Sequence, residues 1–216
     1  MADQTEPGLT LTTLGVGAAV SPRFAPAGLL VELGACRIML DGGPGSGPRG
    51  PLTAWLVTDE RAELIARIRA LGRALGVEPR MGDVSQGGLT VVSRPVVHTN
   101  HPTCGYLMRA AGWRVAWAPE FREFPDWARG VDLMFAEAAG WSRPIRFAGG
   151  VGGHLHVLAV AAAARSLGVR RLVFAHIGRP TIRAIDRGET PPFGEFAEDG
   201  QVFRLIGARR SGRGCG

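Results

Sequence analysis

The chain has 216 residues, 45% hydrophobic and 20% charged, a size and composition that let one core bury roughly 70% of the unfolded surface without staples. Its formal net charge of +6 rests on arginine alone, because all 25 basic residues are Arg. That balance excludes a disordered chain, and no apolar run approaches the ~18 residues of a membrane span.

In chain order, residues 9–16, 28–33 and 37–40 read as strands, each bounded by Gly, Pro or a polar turn. The third closes on Asp41-Gly42-Gly43-Pro44-Gly45, too glycine-rich for regular structure. A further strand over 53–57 runs into a helix in which Leu64, Ile65, Ile68, Leu71 and Leu75 recur at helical spacing. Residues 89–97 form a strand ending at His98. The segments 106–109 and 114–118 form a hairpin about Ala110-Ala111-Gly112. A buried strand at 131–136, an alanine-rich helix at 154–167 and a strand at 171–175 ending at His176 follow, with a last strand at 201–205. No repeat or linker divides the series. We expect one domain over 1–206 and a flexible basic tail over 207–216 carrying Arg209, Arg210 and Arg213.

Asp41, Asp59, His98, Glu120 and His176 each follow an apolar strand within a residue or two. A rigid sheet presents such side chains to a shared cleft. The three cysteines, Cys36, Cys104 and Cys215, lack CxxC spacing and point to neither a disulfide framework nor a cysteine zinc site. The first residues include Asp3 and Glu6 and no basic-then-apolar leader, so a cytoplasmic protein is expected, with no membrane partner. Arginine forks suit phosphate oxygens, yet these arginines are scattered, so a small anionic or ester substrate is favoured over nucleic acid. An oligomer stays open.

Several ordered segments carry a resemblance. They are Leu14-Gly15-Val16-Gly17, Ile38-Met39-Leu40-Asp41-Gly42-Gly43, Trp113-Arg114-Val115-Ala116-Trp117, the run from Val131 to Glu137, Gly153-His154-Leu155-His156 and Arg171-Leu172-Val173-Phe174-Ala175-His176. Together they resemble the metallo-β-lactamase superfamily, closest to the branch of tRNA 3′-end endonucleases and cyclic phosphodiesterases. The resemblance implies an α/β fold, a four-layer αββα sandwich with its active site along one edge. The superfamily's His-x-His-x-Asp-His run, which binds two divalent ions, aligns with Asp59-Glu60-Arg61-Ala62-Glu63-Leu64. Asp59 and Arg61 thus stand for the first two histidines, Glu63 for the aspartate and Leu64 for the third histidine. His98 and His176 match later metal ligands, Glu120 the bridging aspartate and His154 a proton donor. The pyrroloquinoline-quinone biosynthesis B proteins also depart from the run, with a Thr-Asp opening similar to Thr58-Asp59.

Leucine has no ligand atom, and arginine stays protonated and offers no lone pair. The resemblance therefore implies at most one ion, Zn²⁺, Mn²⁺ or Fe²⁺, on His98, Glu120 and His176, with Asp59 or Glu63 as a fourth ligand. Asp41 would hold a ligand histidine in orientation, and Arg61 would replace the lost metal charge by pairing with Asp59, Glu63 or Glu120. A plainer reading stands beside each. Asp59 and Glu60 cap a helix, Glu63 pairs with Arg67 on its surface, and His98 and His176 persist as cleft histidines without metal. His101 and His156 read as loop or helix-surface residues, the stretch 149–153 as an active-site loop, and the five tryptophans as core and rim. Function thus lies among a remodelled ester or phosphodiester hydrolase, a metal-free pseudoenzyme that binds an anionic ligand or a protein in the old cleft, and a nonhydrolytic enzyme, such as an oxidoreductase or cofactor-maturation factor, using the same cleft.

Overall fold

The computed structural model describes residues 8–207. The elements run β1 (Leu9–Gly15), β2 (Gly28–Leu33), β3 (Cys36–Asp41), β4 (Ala54–Leu56), α1 (Ile65–Ala74), β5 (Val84–Gln86), β6 (Leu89–Pro95), β7 (Cys104–Ala110) and β8 (Trp113–Ala118). They continue with β9 (Leu133–Ala138), β10 (Ile145–Arg146), β11 (Gly153–His154), α2 (Val157–Ser166), β12 (Arg171–Ile177), α3 (Arg179–Asp186), β13 (Glu195–Phe196) and β14 (Gln201–Leu205). Strands β14-β1-β2-β3-β4 make a five-stranded sheet and β13-β12-β9-β8-β7-β6-β5 a seven-stranded one. Apart from Gly207, the expected tail over 207–216 lies outside the described residues.

Burial pattern explains the layers. In β1 the buried positions alternate with half-buried ones, as a strand with one face on the core requires. The apolar runs of β2 and β3 are instead covered on both faces. Leu29, Val31, Ile38 and Leu40 join the core between the sheets, while Leu30 and Met39 turn outward to meet Ile68 of α1, with Trp55 and Val57. Helix α2 places Val157, Val160, Ala161 and Ala164 in the large core, against the seven-stranded sheet. The result is the expected αββα sandwich. No helix among the described residues is long and apolar enough to cross a membrane.

The short elements β5, β10, β11 and β13 are too brief to show a period, and the helix α3, though amphipathic, was likewise not anticipated from sequence. The hairpin joining β7 to β8 turns at Ala111 and Gly112, both at positive φ (47° and 79°), as a tight two-residue turn demands. Cys36 and Cys104 are both free and buried, and burial pushes the Cys104 thiol up to about 12. Cys104 therefore packs as a small apolar group.

Polar ties join the two sheets at the cleft end. Asp41 closes β3 in the left-handed region (φ 51°). Its carboxylate accepts from the Thr58 backbone N–H (2.7 Å), the Thr58 hydroxyl (2.9 Å) and, from the other sheet, the Trp117 indole N–H (2.6 Å). Trp55 donates to its carbonyl at 2.7 Å. Tyr106 of β7 likewise donates to the Val57 carbonyl at 2.7 Å.

Burial pushes the Asp41 carboxyl up to about 6, the Glu120 charge adding to the rise and the Trp117 and Thr58 bonds opposing it. Asp41→Ala strands two buried N–H donors and should cost about 2–5 kcal/mol in urea denaturation. A raised folded pKa makes Asp41 most favourable below the ordinary value of 3.8, with that contribution declining until about pH 6. The gap between wild type and variant should accordingly be wider at pH 4 than at pH 8. A gap that widens with pH would show that the buried form is the better-stabilised anion.

Candidate metal and acid–base centre

The strand ends open onto a cleft of about 470 Å³ lined by Asp41, Asp59, His98, His101, Glu120, His154 and His176, among others. At its floor lies Glu137, near the end of β9 and wholly buried. Four donors meet its carboxylate. The backbone N–H groups of Phe121 (3.1 Å) and Ala139 (2.8 Å) supply two, and Nδ1 of His154 (2.7 Å) and of His176 (3.2 Å) the others. Both imidazoles thereby carry hydrogen on Nδ1 and turn Nε2 away from Glu137.

His176 reaches this position by strain. It sits at φ 57° in a register shift between Ala175 and Ile177 where β12 pairs with β9. Such a bulge re-aims a side chain at the end of a strand. Its Nε2 lies 2.9 Å from Oε1 of Glu120, and Nε2 of His98 lies 2.9 Å from the other oxygen, Oε2. Nδ1 of His98 donates to the Gly153 carbonyl at 3.0 Å, while Gly153 N–H returns a bond to the His98 carbonyl at 2.9 Å. Gly152 makes that approach feasible, since a Cβ there would stand 2.1 Å from the His98 carbonyl oxygen. The His154 ring packs between those of His98 (4.8 Å between centroids) and His176 (5.1 Å).

The charges hold one another. Burial alone would lift Glu120 and Glu137, but the imidazoles' charges and hydrogen bonds outweigh it, leaving Glu120 well below the ordinary 4.5 and Glu137 at about 2. Burial alone would lower His98 and His176, yet Glu120 and Glu137 raise both above the ordinary 6.5, His176 well above it.

The sequence-predicted residues divide. His98, Glu120, His176 and His154 are brought together as expected. Glu137, quoted only as part of a strand motif, is the residue that sequence reasoning missed; a carboxylate closing a fully apolar strand was the available signal. Asp41 holds Thr58 and Trp117 rather than a histidine, because β3 ends against β4 and β8 and not against a histidine-bearing strand. Asp59 binds His101 instead of the cluster, with both oxygens near His101 Nε2 (3.0 and 2.9 Å). His101 is therefore a half-buried cleft residue and not a loop-surface one. His156 caps α2, its Nδ1 accepting from Ala159 N–H at 3.3 Å.

Arg61 and Glu63 are exposed, and among the described residues neither forms an ion pair. Arg61 thus does not replace a metal charge, and the expected Glu63–Arg67 pair is not formed. The reason is local. Asp59 and Glu60 do not cap α1, which begins only at Ile65; the chain between makes turns, one of them closed by Asp59 Oδ1 accepting from Arg61 N–H at 2.7 Å. Those turns leave residues 61 and 63 exposed at the cleft rim without an ion-pair partner among the described residues, while Leu64 packs on the cluster beneath α1.

A family model described as the Beta-lactamase superfamily domain matches residues 48–177. The chain belongs to this superfamily. Among solved members of the fold, the structure is similar to the metallo-beta-lactamase fold protein YhfI from Bacillus subtilis (15% identity, TM-score 0.70), covering 92% of this chain and 99% of that one. It is equally similar to a diphosphatase from the PhnP family (19% identity, TM-score 0.70), over 92% of this chain and 98% of the other. The Zn²⁺-bound PqqB from Methylobacterium extorquens follows at 14% identity and TM-score 0.65, over 91% and 100%. At these identities the likeness shows the superfamily's fold alone. No curated protein matches the chain.

Two measurements follow. Arg61→Ala should leave stability within about 0.5 kcal/mol, as for other exposed side chains without partners; a large drop in melting temperature would place Arg61 in the charge network after all. In chelated protein, Glu120 and Glu137 stabilise the fold above the ordinary 4.5 and lose that effect as pH falls. His98 and His176 stabilise fully below 6.5 and lose the effect as pH rises through their raised values. Urea denaturation should therefore give a more stable metal-free protein at pH 5.5 than at pH 8.5, and the reverse order would refute this charge assignment.

Proposed function

We propose that this protein is a hydrolase acting on a phosphodiester or related anionic ester, with at most one divalent ion in its cleft. The observation that carries the reading is the placement of two histidine Nε2 atoms, each 2.9 Å from a different oxygen of Glu120. His98 Nδ1 faces a carbonyl and His176 Nδ1 a carboxylate, so both Nδ1 atoms carry hydrogen. A neutral ring then aims its Nε2 lone pair at an anionic oxygen. Only a cation between them, a proton or a metal ion, makes that contact favourable.

The donors fit one ion. His98, His176 and Glu120 would hold it, with Glu137 and the Gly153 carbonyl fixing the imidazole rings from behind, the arrangement usual around ligand histidines. Among the described residues it is Glu137, His154 and His176 whose ligand atoms lie within 4.8 Å of one another, so His98 and His176 would have to draw closer together around an ion. However, each Glu137 oxygen already accepts from a backbone N–H and an imidazole, so Glu137 is better suited to orienting rings than to binding metal. A second ion lacks donors, because positions 61 and 64 are Arg and Leu. When bound, a divalent ion supplies Lewis acidity and makes water more acidic.

The chain's own residues supply the rest. His154, held through Nδ1 by Glu137, keeps Nε2 for delivering a proton to the departing alkoxide. Phe147 lies edge-on to His98 and His154 and keeps water from that side of the rings. Similarity to the PhnP-family diphosphatase and to Zn²⁺-bound PqqB supports both the substrate class and the metal. The second reading is a metal-free protein that binds an anion in the cleft. It is favoured by the same cluster's capacity to satisfy itself with protons, His98 and His176 raised against Glu120 and Glu137 lowered.

Elemental mass spectrometry on protein purified without chelator should find up to one equivalent of zinc, manganese or iron, lost in the His98→Ala/His176→Ala double variant. Hydrolysis of bis(p-nitrophenyl) phosphate should follow the metal. His154→Ala should keep the metal but lower kcat about 10²–10⁴-fold. Protein that takes up no metal from Zn²⁺, Mn²⁺ or Fe²⁺ and cleaves no ester is the metal-free binder.

A further inference from the structure

Asp59 and His101 form a second carboxylate–imidazole pair in the cleft, outside the cluster around Glu120 and Glu137. Asp59 stands in the turns after β4, where the superfamily's run would place its first histidine, and its side chain is only 7% exposed. Its orientation is set locally by the bond from Arg61 N–H (2.7 Å). His101 comes from the other sheet, on the loop between β6 and β7. Thr99 secures that loop, its hydroxyl donating to the His101 carbonyl at 3.0 Å. Cys104 N–H, just beyond, donates to the Thr58 carbonyl at 2.9 Å and holds the loop beside Asp59. Two segments distant in sequence are thus clamped so that one imidazole nitrogen meets one buried carboxylate.

The chemistry of the pair follows from its donors. A carboxylate only accepts, so the hydrogen of a neutral His101 ring resides on Nε2, which lies 2.9 and 3.0 Å from the two Asp59 oxygens. The lone pair is then on Nδ1, which has no hydrogen-bond partner among the described residues. Among those residues no third His, Cys, Asp or Glu comes within 4.8 Å of both members, fewer ligands than an ion requires. An imidazole oriented through one nitrogen and free at the other is suited to taking a proton. Glu63, which occupies the superfamily's aspartate position, is exposed at the cleft rim and is not the carboxylate that His101 meets.

We infer that His101, oriented by Asp59, is the proton acceptor of the hydrolysis, a role that rests on the hydrolase reading above. In the step it serves, a water oxygen bonds to phosphorus and the P–O bond to the leaving alcohol breaks. One water proton passes to His101 Nδ1, and His154 gives a proton to the departing alkoxide. A monoester and an alcohol leave, and the two histidines restore their protons by exchange with solvent. His154 and His101 thereby divide the acid and base roles between two carboxylate-backed imidazoles. Asp59 is the positioning residue.

The test is steady-state hydrolysis of bis(p-nitrophenyl) phosphate by metal-loaded protein. His101→Gln retains an N–H for Asp59 but has no basic nitrogen, so it keeps the clamp and removes the base. It should lower kcat about 10²–10⁴-fold, leaving KM within about threefold and the metal content and melting temperature as in wild type. Asp59→Asn, which no longer enforces the Nε2–H form, should lower kcat about 10- to 100-fold. His101→Gln with kcat within about threefold of wild type, or a loss in His101→Ala that glutamine restores, would reduce the pair to a structural latch and overturn the inference. If metal-loaded wild type cleaves no ester, the hydrolase reading itself fails and this role falls with it, an outcome distinct from full activity in His101→Gln.

Discussion

The site depends on one buried carboxylate. Glu137 has no exposed surface, and an ionised carboxylate in that position is costly unless its oxygens are filled. Four donors fill them, two from backbone at Phe121 and Ala139 and two from the His154 and His176 rings. Charge-assisted bonds of this kind are about twice as strong as neutral ones. They also determine direction. Because both rings spend Nδ1 on Glu137, both present Nε2 elsewhere, and His176 Nε2 falls on Glu120. The backbone bonds make the arrangement inseparable from the loops that follow β8 and β9.

Backbone strain is concentrated at the same edge. Asp41 and His176 each close a strand with φ near +50 to +60°, a conformation that costs a non-glycine residue of order 1 kcal/mol or more. Both are repaid by polar contacts that extended geometry would not reach. Asp41 gains Thr58 and Trp117, linking the two sheets, and His176 gains two carboxylates. The cleft is therefore rigid at its floor, where proton positions and any ion must be held to a few tenths of an ångström.

Loss of the superfamily's histidine run changes one wall of this cleft. Arg61 and Glu63 become exposed residues of the cleft rim, and Leu64 becomes part of the packing beneath α1. Asp59 is the buried residue of the four, and it finds an imidazole from the opposite sheet. The wall that would have carried most of the nitrogen ligands now carries a single hydrogen-bonded pair. The other wall keeps a carboxylate between two histidines. The asymmetry separates the Asp59–His101 pair from the cluster around Glu120 and Glu137.

Alternation in β1, apolar runs in β2, β3 and β9, helical spacing in α1 and Ala-rich α2 made the main elements and the superfamily legible in sequence, since periodicity depends only on which face is covered. His98, Glu120, His154 and His176 were legible because they end or follow such elements. Contacts were not. That Glu137 anchors the site, that His101 serves Asp59, that Asp41 holds a tryptophan and that Arg61 is left exposed all depend on a bulge at His176, on turns after β4 and on two sheets meeting at one edge. Each joins residues up to 76 positions apart, as between Asp41 and Trp117. The sequence by itself determined which surfaces are apolar and hence the layers; the tertiary structure decided which polar groups share the cleft, because hydrogen-bond geometry is set by the packing of strands distant in the chain.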